Sequence, residues 1–154
     1  MQRTTTASNV IGFPEALQPV SRRRRPRVVV VDDSPNYQEI VCTLIEMDDL
    51  VDIVGRASNG ADAIQTIAHL KPDLLVMDVE MPLVDGLAAA QFLSRHFPRT
   101  VIMLMSGDNS LQRRTACFES GARAFIFKPN FREEFLRALE RVFEITSIVT
   151  LPAG

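Results

Sequence analysis

Cysteine is scarce in this chain. Cys42 and Cys117 are the only two among 154 residues, and their separation matches no metal-ligand or redox motif. Both fall in helical patterns and read as reduced, buried fillers, in keeping with a cytoplasmic protein. Histidine is equally sparse. His69 and His96 lie near the C-terminal ends of expected helices, where a cation interacts well with the helix dipole, so they read as surface groups and not as catalysts. Neither sign of charge dominates: 17 basic residues face 19 acidic ones, and bulk electrostatics give no argument for a nucleic-acid partner. No apolar run approaches a membrane span, and the N-terminus lacks a secretory apolar core. Aromatic residues are few, yet apolar residues reach 46%, enough for one substantial core.

The first 26 residues read differently from the rest. Met1 to Val10 is rich in Thr, Ser and Asn, and Gly12, Pro14, Pro19 and Pro26 interrupt any regular pattern. Arg22 to Arg25 is a like-charge run that repels itself. Residues 1–26 are therefore expected to be a flexible basic arm, a solvated tether that could also touch an anionic surface. Its Arg-rich, acid-poor composition is shared with organelle transit peptides, but no amphipathic helix accompanies it. Residues 27–146 are expected to form the folded domain, and residues 147–154 a C-terminal tail with no assigned structure.

From Arg27 onward, short apolar runs alternate with helical patterns. Val28 to Val31 is four valines in succession, as a strand covered on both faces requires. Ser34 offers a cap and Pro35 suits the first helical position, and Tyr37, Ile40, Val41, Leu44 and Ile45 line one helix face. Val51 to Val54 reads as a second strand. A helix capped by Asn59 follows, then the apolar run Leu74 to Met77, which ends in Asp78. Helices over Gly86 to Phe97 and Ser110 to Ser120 flank a strand over Thr100 to Met105, and Gly121 is placed as a left-handed cap. Ala124 to Phe127 is the fifth strand. Asn130 and Glu133 resemble a capping pair before the last helix. Such alternation predicts right-handed βαβ crossovers and a doubly wound α/β domain of five parallel strands and five helices. Alternation does not itself show strand order; of the two common orders, the flavodoxin-like 2-1-3-4-5 is the one expected here.

That order would bring Asp32 and Asp33, after the first strand, beside Asp78, after the third. Carboxylates so close raise one another's pKa, and a hard divalent cation such as Mg²⁺ relieves them. Asp33 and Asp78 are the expected direct ligands, Asp32 holds a metal-bound water or binds directly, and the backbone carbonyl of Glu80 adds another oxygen. Ser106 ends the fourth strand and can donate to a phosphoryl oxygen; Gly107 leaves room beside it. Lys128 ends the fifth and can reach the acids as a point charge. Acids, hydroxyl and amine at one sheet edge suit phosphoryl transfer to a carboxylate.

The motifs Val31-Asp32-Asp33-Ser34, Met77 to Gly86, Met105-Ser106-Gly107 and Phe127-Lys128-Pro129 resemble those of response-regulator receiver domains. Asn59 to Ala63 and Gly121 to Phe125 match as well, so the resemblance spans about Arg27 to Glu144. It implies that Asp78 takes a phosphoryl group from a sensor histidine kinase or a histidine phosphotransfer protein, that Asp32 and Asp33 bind Mg²⁺, and that Ser106 and Lys128 bind the phosphoryl group. It further implies a cis Lys128-Pro129 bond. Phe125 would be the switch aromatic, turning inward as Ser106 moves and altering a face built by the fourth helix, fifth strand and fifth helix. Glu80 and Asp108, each two residues beyond a site residue, would tune the lifetime of the aspartyl phosphate.

The output face is expected to carry Arg113, Arg114, Arg123 and Arg132, either solvated or docking an acidic partner. No residues remain for a DNA-binding or catalytic output domain, so the chain is expected to act through a downstream partner as a stand-alone switch and not to be a turnover enzyme. Two rivals are a receiver-like interaction module that is never phosphorylated and a phosphatase of the haloacid dehalogenase type. The second would carry its nucleophile on the first strand, with another acid two residues on. A cofactor-binding flavodoxin would want a Gly/Ser/Thr-rich phosphate loop where Asp32 and Asp33 stand.

Overall fold

The computed structural model describes residues 24–145; the C-terminal tail and most of the basic arm lie outside them. The strands are β1 (Arg27–Val31), β2 (Asp52–Ala57), β3 (Leu74–Asp78), β4 (Val101–Ser106) and β5 (Ala124–Phe127). The helices are α1 (Pro35–Glu46), α2 (Gly60–Leu70), α3 (Gly86–His96), α4 (Leu111–Glu119) and α5 (Phe131–Phe143), and a single 3₁₀ turn, Lys128–Asn130, precedes the last. All strand pairings are parallel, in the order β2-β1-β3-β4-β5.

Period-two alternation along each buried strand divides the interior into two layers. Val29, Val31, Leu75, Met77, Ile102 and Leu104 point to the face covered by α2, α3 and α4, where Ile67, Leu93 and Cys117 meet them. Val28, Val30, Leu74, Val76, Met103 and Met105 point to the other, against Val41 and Ile45 of α1 and Phe135 and Leu139 of α5. β3 lies at the centre and every residue in it is buried. Each large apolar side chain of that strand contributes about 1.5–3 kcal/mol by leaving water. Cys42 and Cys117 are free thiols, both buried, and burial pushes the Cys117 thiol up to about 11.

Helix starts follow the expected chemistry. Ser34, Asn59, Asp85 and Ser110 each accept a backbone N–H from three residues on. Gly121 closes α4 at φ +105°, which an L side chain rarely adopts. Three local expectations need correction. β2 runs to Ala57 and not to Val54, because a register shift between Val28 and Val29 lets Gly55, Arg56 and Ala57 pair with the end of β1. Asn130 makes no side-chain cap; Glu134 reaches back instead and accepts the Phe127 N–H at 3.0 Å. No cis peptide occurs among the described residues, so Lys128-Pro129 is trans and the chain passes through the 3₁₀ turn into α5.

Candidate phosphoryl-acceptor site

β1 and β3 are neighbours, so their C-terminal ends deliver the three acids to one spot. Carboxylate oxygens of Asp32, Asp33 and Asp78 lie within 4.8 Å of one another. Asp32 and Asp78 are buried at 1% and 2% exposure, whereas Asp33 faces solvent. Gly86 keeps this edge tight: a Cβ there would collide with the Asp78 carbonyl oxygen and with Val79 Cα. β5 brings Lys128 from the far side, its Nζ 3.2 Å from Asp32 Oδ2 and 3.1 Å from Asp78 Oδ2.

The electrostatics follow from burial. Loss of water pushes the Asp78 carboxyl up to about 6; Lys128 opposes this, and Asp32 and Glu80 reinforce it. Burial works to lower the Lys128 ammonium, but the carboxylates of Asp78 and Asp32 outweigh it and hold its pKa above the ordinary value. Three clustered carboxylates, two of them touched by one ammonium, form an oxygen-only donor set with an excess of negative charge. Hard-donor chemistry of that kind fits Mg²⁺.

Ser106 is buried at the end of β4, but its hydroxyl is engaged elsewhere. It donates to both carboxylate oxygens of Glu80 at 3.0 Å and accepts the Asp108 N–H at 3.0 Å. The Asp108 carboxylate turns toward α4 and accepts the Ser110 N–H at 2.9 Å, which holds its carboxyl below the usual range. At Gly107 an added Cβ would meet nothing, so packing does not demand glycine there. Phe125 is already buried, with the Arg114 guanidinium 5.4 Å above its ring centroid. An inward turn of an exposed ring therefore does not describe this structure; a cation over the ring face holds it instead.

Two further side chains carry more than periodicity suggests. Tyr37, placed by its spacing on the inner face of α1, lies with its ring 4.3 Å from Lys128 Nζ and donates its hydroxyl to the Lys128 carbonyl at 3.2 Å. Arg132 does not belong to the output face. Its guanidinium makes a two-pronged ion pair with the nearly buried Asp48, at 2.8 and 3.1 Å, and so ties α5 to the turn after α1.

Comparison with known proteins agrees with this geometry. Residues 28–140 match the family model described as the response regulator receiver domain. The chain belongs to the response regulator receiver domain family, and thus to a class of phosphorylation-activated signalling switches. It is 36% identical over 107 residues to protein-glutamate methylesterase/protein-glutamine glutaminase 1 of Syntrophomonas wolfei subsp. wolfei, covering 69% of this chain and 30% of that protein. Identity is again 36% over 120 residues with the corresponding protein 2 of Pseudomonas fluorescens (strain Pf-5), covering 77% and 32%. Among solved structures, the response regulator domain of Thermotoga maritima CheB superposes with a TM-score of 0.70 at 28% identity, covering 79% of this chain and 98% of that one. The signal receiver domain of the putative response regulator NarL from Mycobacterium tuberculosis gives 0.73 at 29%, with the same coverage.

These matches correct one expectation. The reading of the protein as a non-enzyme does not stand, because the curated relatives are enzymes by name. The chain spans about 30% of the length of those relatives, and the shared part is the receiver region. Neither rival, the unphosphorylated module or the dehalogenase-type phosphatase, is favoured. No helix among the described residues is long and apolar enough to cross a membrane.

Proposed function

We propose that Asp78 is the phosphoryl acceptor of a cytoplasmic signalling switch. One observation carries the reading: a buried carboxylate at the end of the central strand, paired with Lys128 and flanked by Asp32 and Asp33. Transfer is an in-line displacement at phosphorus. An Asp78 carboxylate oxygen forms the new O–P bond, the N–P bond of a phosphohistidine on the donor breaks, and the departing imidazole takes a proton from solvent. The donor is a sensor histidine kinase or a histidine phosphotransfer protein.

Asp32, Asp33 and Asp78, with the Glu80 backbone carbonyl, would hold Mg²⁺, whose chemistry there is to neutralise charge on the phosphoryl oxygens. Lys128 keeps its ammonium beside the acceptor and pairs with a phosphoryl oxygen after transfer. Ser106 donates its hydroxyl to another, which requires it to leave Glu80. Glu80 and Asp108 then set how easily water reaches the aspartyl phosphate. Rearrangement around Ser106 and Phe125 alters the α4-β5-α5 face, where a downstream effector reads it, on the same polypeptide or on a separate one.

Incubation with Mg²⁺ and a small acyl-phosphate donor, followed by intact-mass analysis, should show one added phosphoryl group. Asp78→Asn should abolish it; labelling retained at full level would move the acceptor elsewhere.

A further inference from the structure

The hydroxyl that the phosphoryl group needs is held by the wrong partner. Ser106 donates to Glu80 through both carboxylate oxygens. Glu80 itself is anchored at the site, its backbone N–H donating to Asp78 Oδ1 at 3.2 Å. A phosphoryl group on Asp78 adds negative charge beside that carboxylate and competes for the same hydroxyl. Glu80 must then release Ser106 and swing away; its carboxylate is 47% exposed, so it can go to water or to a cation close enough to compete with water.

Arg113, in the first turn of α4, is placed for that. Its Nε is 3.9 Å from Glu80 Oε2 and 3.7 Å from Asp108 Oδ2, beyond hydrogen-bond distance of both. That Nε is buried and has no hydrogen-bond partner. Buried donors are almost always satisfied, so a spare one between two acids is an unused bond in this state. We infer that Arg113 is a positioning residue for the phosphorylated state: it takes the Glu80 carboxylate as Ser106 leaves it. The inference rests on the acceptor reading of Asp78. The exchange trades a hydrogen bond that the Glu80 carboxylate accepts from a neutral hydroxyl for one that it accepts from a cationic guanidinium. It also couples the event at Asp78 to α4, because Arg113 and the Phe125-capping Arg114 are adjacent on that helix.

The test is a double-mutant cycle on the binding of Mg²⁺ and beryllofluoride, followed by NMR or calorimetry, with acyl-phosphate labelling rates alongside. Arg113→Ala should weaken beryllofluoride binding by about tenfold in the wild-type background. In a Glu80→Ala background, where Ser106 is already free, the same substitution should change it by less than about twofold. Arg113→Lys should restore part of the loss. Thermal melts of each variant separate unfolding from loss of the contact, and Arg113→Gln replaces the alanine variant if that one is unfolded. Equal losses in both backgrounds would overturn the inference, as would coupling to Asp108→Ala in place of Glu80→Ala. A wild-type chain that takes neither label nor beryllofluoride would overturn the acceptor reading as well, whereas normal labelling without the coupling overturns this inference alone.

Discussion

At the scale of single residues, Asp78 is both the proposed reactive group and a source of instability. Its carboxyl moves from an ordinary value of 3.8 to about 6 in the folded protein. A carboxyl raised on folding stabilises the protein fully below its unfolded pKa, and that stability is lost as pH rises through the folded value. For Asp78 the window runs from about pH 4 to about pH 6 in metal-free buffer, and the loss at neutral pH is at most about 3 kcal/mol. Asp78→Asn removes the ionisation but keeps the shape. With a chelator present it should stabilise the protein by about 1–3 kcal/mol at pH 7.5 and by little at pH 4. Urea unfolding at the two pH values checks this; a variant that is less stable at pH 7.5 would contradict it. Mg²⁺ should raise the wild-type unfolding midpoint more than that of the variant, because a ligand bound only to the folded state stabilises it by mass action.

At the scale of elements, the ion pair between Arg132 and Asp48 fixes how α5 sits against α1. Asp48 is nearly buried, so removing Arg132 strands its carboxylate. Arg132→Ala should cost about 2–3 kcal/mol, toward the lower end for a buried pair because the arginine is partly exposed. A loss below about 1 kcal/mol in chemical denaturation would show that water replaces the guanidinium without penalty. The sequence placed Arg132 with Arg113, Arg114 and Arg123 on the output face. Only the packing of α5 onto α1 revealed a partner 84 positions away. The end of β2 was hidden in the same way. Gly55 and Arg56 carry no apolar signal, and they are strand residues because β1 offers them a pairing register after its shift.

At the scale of the whole molecule, the five-stranded sheet separates two roles. Its C-terminal edge gathers the acids, Ser106 and Lys128; its opposite edge is where the basic arm arrives. The last two arginines of the run Arg22 to Arg25 touch the domain there. Arg24 pairs with Asp73 at 3.2 Å, and Arg25 pairs with Asp49 at 2.7 Å and Asp52 at 3.3 Å. These contacts are exposed, so salt should screen them. Deleting residues 1–25 should lower the unfolding midpoint slightly at low ionic strength, and the difference should vanish in molar salt. A large, salt-insensitive drop would mean that the arm packs on the domain through apolar contacts.

The fold class and the acids, hydroxyl and amine of the candidate site were legible in the residue pattern, whereas strand order became definite only in the assembled sheet. Runs such as Val28 to Val31 and Leu74 to Met77, alternating with helical patterns, suit strands of a parallel sheet covered on both faces, and each ends next to an acid of the candidate site, Asp32 or Asp78. What the sequence could not determine was the state of that site. Whether Ser106 faces the acceptor or Glu80, whether Phe125 lies in or out, and whether Arg113 has a partner depend on rotamers. Those rotamers are chosen by neighbours from different elements, Glu80 after β3, Asp108 after β4, Arg113 and Arg114 on α4, and only their assembly around one sheet edge sets the distances that decide among them.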